Sequence, residues 1–268
     1  MNMQGFTLPL SPNGTSTLIE APPWGFGGDS LEVSFEVDLQ MFCRFLPEPF
    51  ELSSQPGLIS VTFVDMTSLG NPELAYANPE RTQYRECLIK MHCKFKDQEG
   101  WFVPLSWVDK DFSLLRGFIQ GFGKKLGNIH LTKFHDLNPL IGSKEAGKKM
   151  KAICESFNGL HIEAGITLEQ EVTEDIYAGN SMFVIRHYPD IEDPTQLLVH
   201  EVSELVVRNV RKESIWKGNG EISIYGNKTD EYLQLLQPKK VVQARIFSEG
   251  FELLGGKVLH RYQKQMSM

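Results

Sequence analysis

Two adjacent lysines between glycines are the residues of this chain best suited to covalent chemistry. They are Lys124 and Lys125, in the segment Gly121–Gly127. A lysine attacks a carbonyl only as the neutral amine, which at a normal pKa near 10.4 is about one molecule in a thousand at neutral pH. A second ammonium nearby and burial among apolar side chains both disfavour the charged form and lower the pKa. The sequence therefore predicts that one lysine of the pair is an amine nucleophile whose pKa the other lowers.

Apolar residues around the pair are expected to supply the burial, and the flanking glycines leave room for a ligand. These residues are Phe118, Ile119, Phe122 and Leu126. The alternative is a solvent-exposed pair without chemistry, since lysines are mostly exposed. A phosphate-binding loop fits poorly. Phe118 stands where the Walker pattern has its first glycine, and Lys125 stands where it has Ser or Thr.

The composition argues against several other functions. The net charge of −7 and the pI of about 5.6 disfavour nucleic acid as a partner. No apolar run reaches the roughly 18 residues of a membrane span, and the N-terminus lacks a secretory signal pattern, so we expect a cytoplasmic protein without membrane contact. The four cysteines show no CxxC spacing and the histidines show no metal-ligand spacing. This predicts free thiols and no metal site.

Alternating apolar and polar residues predict the strands that would position this chemistry. Leu31–Val37 has the period of a half-buried strand, and Asp38 follows it as the N-cap of a short helix that ends at Pro47. Tyr84–Phe95 alternates in the same way, with Glu86 opening its mixed face. In a closed barrel that mixed face lines a cavity, whereas in an open sheet it faces water. The pattern alone leaves both alternatives open.

The rest of the chain predicts two helical segments and many further strands. The helical segments are Asp109–Ile119, which leads into the lysine segment, and Ser143–Phe157. The remaining runs have strand character with little helix between them, which favours antiparallel pairing. Hairpin turns are expected at Asp190–Pro194 and Lys217–Gly220. No repeat or long linker divides the chain.

The first 30 residues are rich in Gly, Pro, Ser and Thr and predict an irregular arm. Trp24 lies near its end, among glycines. This ring lines a pocket in one interpretation, and it covers the core as a simple plug in the other.

The order of these features resembles the acetoacetate decarboxylase superfamily across roughly residues 20–262. The motifs that carry the resemblance are the strand with the Asp38-Leu39 helix, Leu46–Pro49, Tyr84-Arg85-Glu86 and Lys124–Gly127. The resemblance implies a mainly β (α+β) fold, an antiparallel barrel-like or cone-like β structure with a few short helices, that assembles into a homo-oligomer. It also implies a single domain over residues 31–262, with an irregular arm at 1–30 and a tail at 263–268.

The resemblance further implies a Schiff-base mechanism, which is established for acetoacetate decarboxylase itself. Lys124 is then the Schiff-base lysine, Lys125 helps to lower its pKa, and Glu86 orients the substrate or moves a proton. The substrate is a small-molecule keto acid or ketone, and the chemistry needs no cofactor and no metal ion.

Two departures from the family pattern bear on substrate binding. Family decarboxylases have a Gly-Arg-Glu segment and a proline before the lysines, whereas this chain has Arg116-Gly117-Phe118 and Gly123. The arginine expected near the end of the arm is also missing, and Gly27-Gly28-Asp29 stands there. Arg85 or Arg116 is therefore predicted to bind the substrate carboxylate. Apolar contacts with the substrate are predicted from Trp24, Phe118 and Phe122.

Three functions remain open at this point. The first is a Schiff-base lyase that decarboxylates a β-keto acid. The second uses the same lysine for aldol, retro-aldol or dehydration chemistry on a larger and more apolar keto substrate, which Gly123 and Phe118 fit slightly better. The third is a barrel that binds a hydrophobic ligand without catalysis, with a vestigial lysine pair.

Overall fold

The computed structural model describes residues 2–173, 181–226 and 230–263. These residues form strands β1 (Trp24–Glu36), β2 (Glu51–Leu52), β3 (Leu58–Leu69), β4 (Gln83–Phe95), β5 (Gln98–Val108), β6 (Lys124–Leu126), β7 (Asn128–Leu131), β8 (Lys149–Ser156), β9 (Gly159–Val172), β10 (Ser181–Pro189), β11 (Leu197–Ile224) and β12 (Lys240–Arg261). The helices are α1 (Leu39–Phe45), α2 (Leu74–Ala77), α3 (Asp111–Gln120) and α4 (Glu231–Leu235), with a 3-10 turn at Pro79–Thr82. Within these ranges, no helix has the length and apolar character needed to cross a membrane.

Most of the strands belong to one sheet that closes into a ring. The order of neighbours is β10-β5-β4-β3-β1-β12-β11, and β10 pairs with β11 as well as with β5. The long β11 also carries β9, β8 and β7 as an extension beyond the ring. All pairings are antiparallel except β5 with β10 and β5 with β6. The predicted mainly β, antiparallel and barrel-like fold with a few short helices is therefore confirmed.

Both faces of β1 and β4 are largely buried, so the polar side of these two strands does not face solvent, whereas much of β11 is exposed. In β1, Leu31 and Val33 pack into the main apolar core, while Glu32 and Ser34 are almost completely buried on the opposite face. The face that carries Glu32 lines a cavity inside the ring, and the mixed face of β4 with Glu86 lines the same cavity. The closed-barrel alternative is correct for Glu86. The strand predicted at Leu31–Val37 is confirmed as part of β1, which ends at Glu36, but it is not half-buried, because the ring covers its polar face.

The second predicted helix, Ser143–Phe157, is wrong, because its C-terminal half is strand β8. Met150 and Ala152 are buried there, and Lys149 and Lys151 are exposed, which is the two-residue period of a strand. Pairing with β7 and β9 on both sides satisfies the backbone and overrides the helical spacing. By contrast, the helix after Asp38 and the helix before the lysines are confirmed as α1 and α3.

One of the two predicted hairpin turns is also wrong. Asp190–Pro194 does connect β10 to β11, with the Asp190 N–H donating to the Gln196 carbonyl at 2.9 Å. The segment Lys217–Gly220, however, continues β11, pairing with β9 throughout and with β12 as far as Gly218, with a register shift between Lys217 and Gly218. Its glycines allow the neighbouring strand to lie close, since a Cβ on Gly218 would lie 1.9 Å from the Thr167 carbonyl oxygen.

The N-terminal arm is shorter than predicted. Strand β1 begins at Trp24 rather than Leu31, and Gly25–Ser30 pairs with both β12 and β3. Glycines in this stretch allow the neighbouring strand to approach, because a Cβ on Gly28 would lie 2.1 Å from the Asp65 carbonyl oxygen. Glycine-rich composition was therefore a sign of tight pairing here, and the irregular part of the arm ends at Pro23.

Candidate active site

The ring encloses a cavity of about 570 Å³ that contains the predicted lysine. Strands β1, β3, β4 and β12 form one side of its wall, and α3 with the start of β6 closes one end. Arg116, Gln120, Phe122 and Lys124 contribute the side chains at that end. The cavity therefore combines an apolar surface with a small group of polar side chains, as small-molecule sites commonly do.

Lys124 and Glu86 meet at this end of the cavity. The Lys124 Nζ donates to Glu86 Oε2 at 2.8 Å and to Ser113 Oγ at 3.2 Å. Only 6% of the Lys124 side chain is exposed. The Lys124 side chain runs along helix α3 and passes directly over Gly117. Only glycine leaves room for it there, since a Cβ on Gly117 would lie 2.4 Å from Lys124 Cδ and Cε.

The environment of Lys124 favours its neutral amine. Burial is the largest cause that lowers the pKa of Lys124, and the Arg116 guanidinium lowers it further. The Glu86 carboxylate acts in the opposite direction. The net pKa of Lys124 lies below its ordinary value, which is the condition that a lysine nucleophile requires.

Lys125 does not have the role that the sequence predicted. Neighbouring residues of a strand point to opposite faces, so Lys125 leaves the site that Lys124 enters. Its side chain is 51% exposed, and its Nζ lies 2.7 Å from Asp230 Oδ2. The cation that lowers the pKa of Lys124 is Arg116 rather than the adjacent lysine.

Arg116 is the arginine that the structure brings into the cavity. It is 4% exposed, and its guanidinium lies over the rings of Phe26 at 4.7 Å and Tyr84 at 5.5 Å. Its Nη1 donates to Ser68 Oγ at 2.5 Å, and within the described residues it forms no salt bridge with a carboxylate. The Glu86 and Glu20 carboxylates act on this guanidinium at longer range. A buried guanidinium with no carboxylate at salt-bridge distance is suited to bind a carboxylate from a ligand.

Two buried polar atoms on the cavity wall lack hydrogen-bond partners within the described ranges. They are Glu86 Oε1 and Gln120 Nε2. Buried polar atoms are normally paired, because leaving one unsatisfied costs about 1–3 kcal/mol. Both atoms are themselves buried, so a ligand would pair with them only after a side-chain rotation.

The remaining predicted site residues divide into two groups. Phe122 lines the cavity, with its ring 5.2 Å from Lys124 Nζ. Arg85, Phe118 and Trp24 do not line it. Arg85 points to the other face of β4 from Glu86 and pairs with Asp65 at 3.3 Å. Because α3 turns about 100° per residue, Phe118 lies on its outer side and packs against Tyr188.

Trp24 is buried in the core, as in the plug interpretation, and does not line the cavity. It is 2% exposed, and its Nε1 donates to the Glu20 carbonyl at 2.9 Å. Its ring lies 5.8 Å from the Arg116 guanidinium, so it supports the arginine from behind.

Sequence reasoning missed Ser113, Gln120 and Tyr84 as site residues. Ser113, Arg116 and Gln120 are spaced three and four residues apart, so they share one face of α3. Tyr84 precedes Glu86 by two residues and shares its face of β4, and the Lys124 ammonium lies 5.6 Å from its ring. Both spacings can be read from the sequence. Which face of α3 and of β4 lines the site becomes clear only when the two elements are placed around the cavity. In the described part of the chain, no group of three or more His, Cys, Asp or Glu side chains is placed to hold a metal ion.

Comparisons with known proteins show that this fold is shared with solved structures. Structures of the enduracididine biosynthesis enzyme MppR, complexed with pyruvate or with the condensation product of pyruvate and imidazole 4-carboxaldehyde, are 25% and 26% identical to this chain, with TM-scores of 0.87 and 0.88. They cover 98% of this chain and 100% and 99% of MppR. An acetoacetate decarboxylase-like enzyme from Sphingomonas wittichii RW1 is 28% identical, with a TM-score of 0.89 over 97% of this chain and 100% of that chain.

More distant matches share the fold. Acetoacetate decarboxylase from Legionella pneumophila is 18% identical, with a TM-score of 0.78 over 98% of both chains. A search of the curated proteins gives no match. The family model for acetoacetate decarboxylase (ADC) matches residues 7–263, almost the whole sequence. The chain therefore belongs to the acetoacetate decarboxylase family.

Proposed function

We propose that this protein is a Schiff-base enzyme in which Lys124 forms an imine with the ketone of a small keto acid. The observation that carries the proposal is the buried Lys124 amine, with its lowered pKa, 2.8 Å from a carboxylate at one end of the cavity. In the proposal, Arg116 binds the substrate carboxylate and Phe122 packs against the substrate.

Imine formation uses Glu86 as the proton carrier. The Lys124 ammonium gives one proton to Glu86 Oε2, and the neutral amine attacks the ketone carbon. The C–N bond forms as the carbonyl π bond breaks, and Glu86 returns its proton to the oxygen. Glu86 then takes a proton from the nitrogen and passes it to the hydroxyl group, which leaves as water. A protonated imine and an ionised Glu86 remain, so protons balance across the sequence.

We propose that the imine then supports carbon–carbon bond formation. Glu86 takes a proton from the carbon next to the imine, and the resulting enamine attacks the carbonyl of an aldehyde, whose oxygen accepts that proton. Loss of water and hydrolysis of the imine release the product. The MppR complex with a condensation product of pyruvate and an aldehyde supports this outcome, because that protein is similar over almost its whole length.

Decarboxylation of a β-keto acid is the second candidate, and the family model favours it. The buried Arg116 argues for condensation instead. An ion pair with Arg116 stabilises a bound carboxylate in the ground state, and departure of carbon dioxide would have to break that ion pair. Only interactions that strengthen in the transition state accelerate a reaction, so Arg116 is better suited to a carboxylate that is retained.

The cellular location and the oligomeric state of the protein remain predictions. We propose a cytoplasmic homo-oligomer, on the expectation that the family resemblance and the sequence raised. Residues 31–262 are proposed as the single domain, to which the strand residues from Trp24 onward are added. Light scattering coupled to size exclusion measures the assembly, and a monomer at all concentrations would contradict it.

Borohydride trapping tests the proposed function. The protein is incubated with pyruvate, reduced with borohydride, digested and mapped by mass spectrometry, with Lys124→Ala and Lys125→Ala as matched variants. We expect an adduct on Lys124 in the wild type and in Lys125→Ala, and none in Lys124→Ala. No adduct with pyruvate or with any other keto acid would contradict imine chemistry and leave the ligand-binding alternative.

Product analysis then separates the two candidates. Pyruvate with an aromatic aldehyde should give a condensation product that retains every carbon atom, whereas acetoacetate should release carbon dioxide only if the protein is a decarboxylase. Rapid carbon dioxide release without condensation would reverse the order of the two candidates.

A further inference from the structure

A second cluster of apolar side chains lies on the cavity side of the ring, separate from the main core. Its members on the cavity wall include Phe26, Val64, Met66, Tyr84, Phe251 and Leu253. Phe26 and Phe251 are only partly buried in this cluster. Their rings therefore offer apolar surface to a ligand in the cavity.

This apolar surface begins beside the group proposed to bind the substrate carboxylate. The Phe26 ring lies 4.7 Å from the Arg116 guanidinium. Phe26 and Phe251 are directly opposite each other on β1 and β12, and their stacked rings have centroids 4.7 Å apart. The pair therefore extends the apolar surface from the end of the cavity that holds Lys124 onto β12.

The same surface continues across β12 to β11. Leu253 follows Phe251 by two residues and so shares its face of β12. On β11, Val207 is opposite Leu253, and it also lines the cavity. Val207 is 44% exposed, so it can still contact a ligand. Phe26, Phe251, Leu253 and Val207 thus form an apolar strip that crosses three strands.

The charged side chains that β12 contributes to the cavity lie beyond the two ends of the apolar strip. Glu249 precedes the strip on β12 and Lys257 follows it, and both line the cavity. Between them, the one charged residue of β12 is Glu252, which does not line the cavity and binds Arg208 at 2.7 Å. Arg245 lies farther from the strip, four residues before Glu249.

The flanking charges have polar or oppositely charged neighbours of their own. Glu249 accepts from Ser30 Oγ at 3.1 Å, and Lys212 is opposite it on β11. Lys257 is opposite Glu204 in the same pair of strands. A charged group of a ligand that lay on the strip would therefore lose its water and meet apolar side chains, which is unfavourable.

The cavity has room for a second substrate beside pyruvate. Cavities of about 300–1,000 Å³ enclose drug-sized molecules, and this cavity measures about 570 Å³, whereas pyruvate is much smaller. An aldehyde that reacts at Lys124 must bring its carbonyl carbon to the enamine, and the rest of the aldehyde then lies against the adjacent wall. The apolar strip is a part of that wall that starts beside Arg116.

We propose that the apolar strip binds the group carried by the aldehyde acceptor, so that this protein prefers aldehydes with an uncharged aromatic or branched alkyl group. The proposal rests on the proposed function, since the enamine at Lys124 is the nucleophile that the aldehyde meets. The enamine carbon bonds to the aldehyde carbon as the carbonyl π bond breaks, and the aldehyde oxygen takes the proton from Glu86. Burial of the apolar group against the strip favours such an acceptor.

Two aldehydes of nearly the same shape test this in the unmodified protein. 4-Isopropylbenzaldehyde and 4-formylbenzoate carry an apolar group and a carboxylate at the same position, and neither can form an enamine itself. Condensation with saturating pyruvate is measured at increasing aldehyde concentration. The isopropyl compound should half-saturate at a concentration at least about tenfold lower, because it buries an apolar group where the other would bury a charge. Equal half-saturation, or a preference for the carboxylate, would overturn the proposal.

Calorimetry keeps this test separate from the test of imine chemistry. The same two aldehydes are titrated into Lys124→Ala protein, which cannot form the imine at this position. Tighter binding of the isopropyl compound, together with no pyruvate adduct in the wild type, would reject the proposed function and retain the apolar subsite. Equal binding of the two aldehydes would reject the subsite itself.

A charge placed on the strip locates the effect. Val207→Asp should raise the half-saturating concentration of 4-isopropylbenzaldehyde at least about tenfold, because the ligand would bury the added carboxylate. Val242→Asp is the matched control and should leave that concentration unchanged, since Val242 is a similarly exposed valine of β12 that does not line the cavity. Circular dichroism shows whether each variant is folded. If Val207→Asp fails to fold, the wild-type comparison and calorimetry still decide the question. Unchanged half-saturation in folded Val207→Asp would overturn the assignment.

Discussion

Lys124 and Lys125 are adjacent in sequence, and each forms an ion pair with a carboxylate, yet only one has a site built around it. The Lys124 Nζ lies 2.8 Å from Glu86 and the Lys125 Nζ lies 2.7 Å from Asp230. The difference is in the surroundings, because the Lys124 side chain is 6% exposed and the Lys125 side chain is 51% exposed. Burial and Arg116 lower the pKa of Lys124. Reactivity of a lysine here follows from its environment and not from its ion pair.

Removing each amine in turn should give the largest contrast. Lys124→Met is expected to abolish turnover, since the variant cannot form the imine. Lys125→Met removes an equivalent ion pair from the outer side of β6 and should retain most of the activity. The measurement is kcat/KM for condensation of pyruvate with an aldehyde. Comparable losses in both variants would contradict the distinction between the two lysines.

Neutralising the two carboxylate partners should give the next largest contrast. Glu86→Gln keeps the size of the side chain but cannot carry a proton, so kcat should fall by about 10²–10⁴-fold. Asp230→Asn at the Lys125 pair is the matched control and should change kcat little. Steady-state kinetics of both variants provide the test. A Glu86→Gln enzyme with near wild-type kcat would remove Glu86 from the proton transfers.

Gly117→Ala should lower catalytic activity more than it lowers thermal stability. The added Cβ would overlap Lys124 Cδ and Cε at 2.4 Å, so the amine must move away from Glu86. A displacement of about 1 Å can cost 10²-fold in rate. Alanine favours a helix interior over glycine by about 1 kcal/mol, which offsets part of the cost of displacing the buried Lys124–Glu86 pair, so activity should fall more than thermal stability.

Gly25→Ala is the control for this substitution, because its Cβ would meet only the Leu69 carbonyl oxygen at an ordinary 3.8 Å. Kinetics and thermal melting are measured on both variants. Full activity in Gly117→Ala would show that the position of Lys124 against α3 is unimportant.

The pH dependence should give the smallest effect and identifies the cation that acts on Lys124. Imine formation needs the neutral amine, so its rate should rise with pH through the lowered pKa of Lys124 and then level off. Because Arg116 lowers that pKa, Arg116→Met should move the midpoint to higher pH, and Lys125→Met should not move it. Acetone is the substrate for this measurement, since it has no carboxylate for Arg116 to bind. An unchanged midpoint in Arg116→Met would contradict the role of Arg116.

Local patterns identified the chemistry because they involved few residues. The family resemblance that the lysine segment and the Tyr84-Arg85-Glu86 motif carry implied that Lys124 and Glu86 belong to one site, and the structure places them in contact. The face of Glu86 could not be assigned from β4 alone. It depended on ring closure through β10, which pairs with both β5 and β11 across long stretches of sequence.

The failures share a physical cause, which is pairing between distant strands. Ser143–Phe157 has helical spacing, but β7 and β9 provide partners on both sides and make a strand of its second half. The role of Lys125 failed because the short strand β6 turns adjacent side chains to opposite faces, and only its pairing with β5 defines that strand. Arg116 could be separated from Arg85 only when α3 and β4 were placed around one cavity.

A crystal structure of the protein reduced with borohydride in the presence of pyruvate would test the central claim most directly. We predict continuous density from Lys124 Nζ to the former ketone carbon, with the pyruvate carboxylate within hydrogen-bond distance of the Arg116 guanidinium. Density on Lys125 or on another lysine, or a carboxylate directed away from Arg116, would contradict the account.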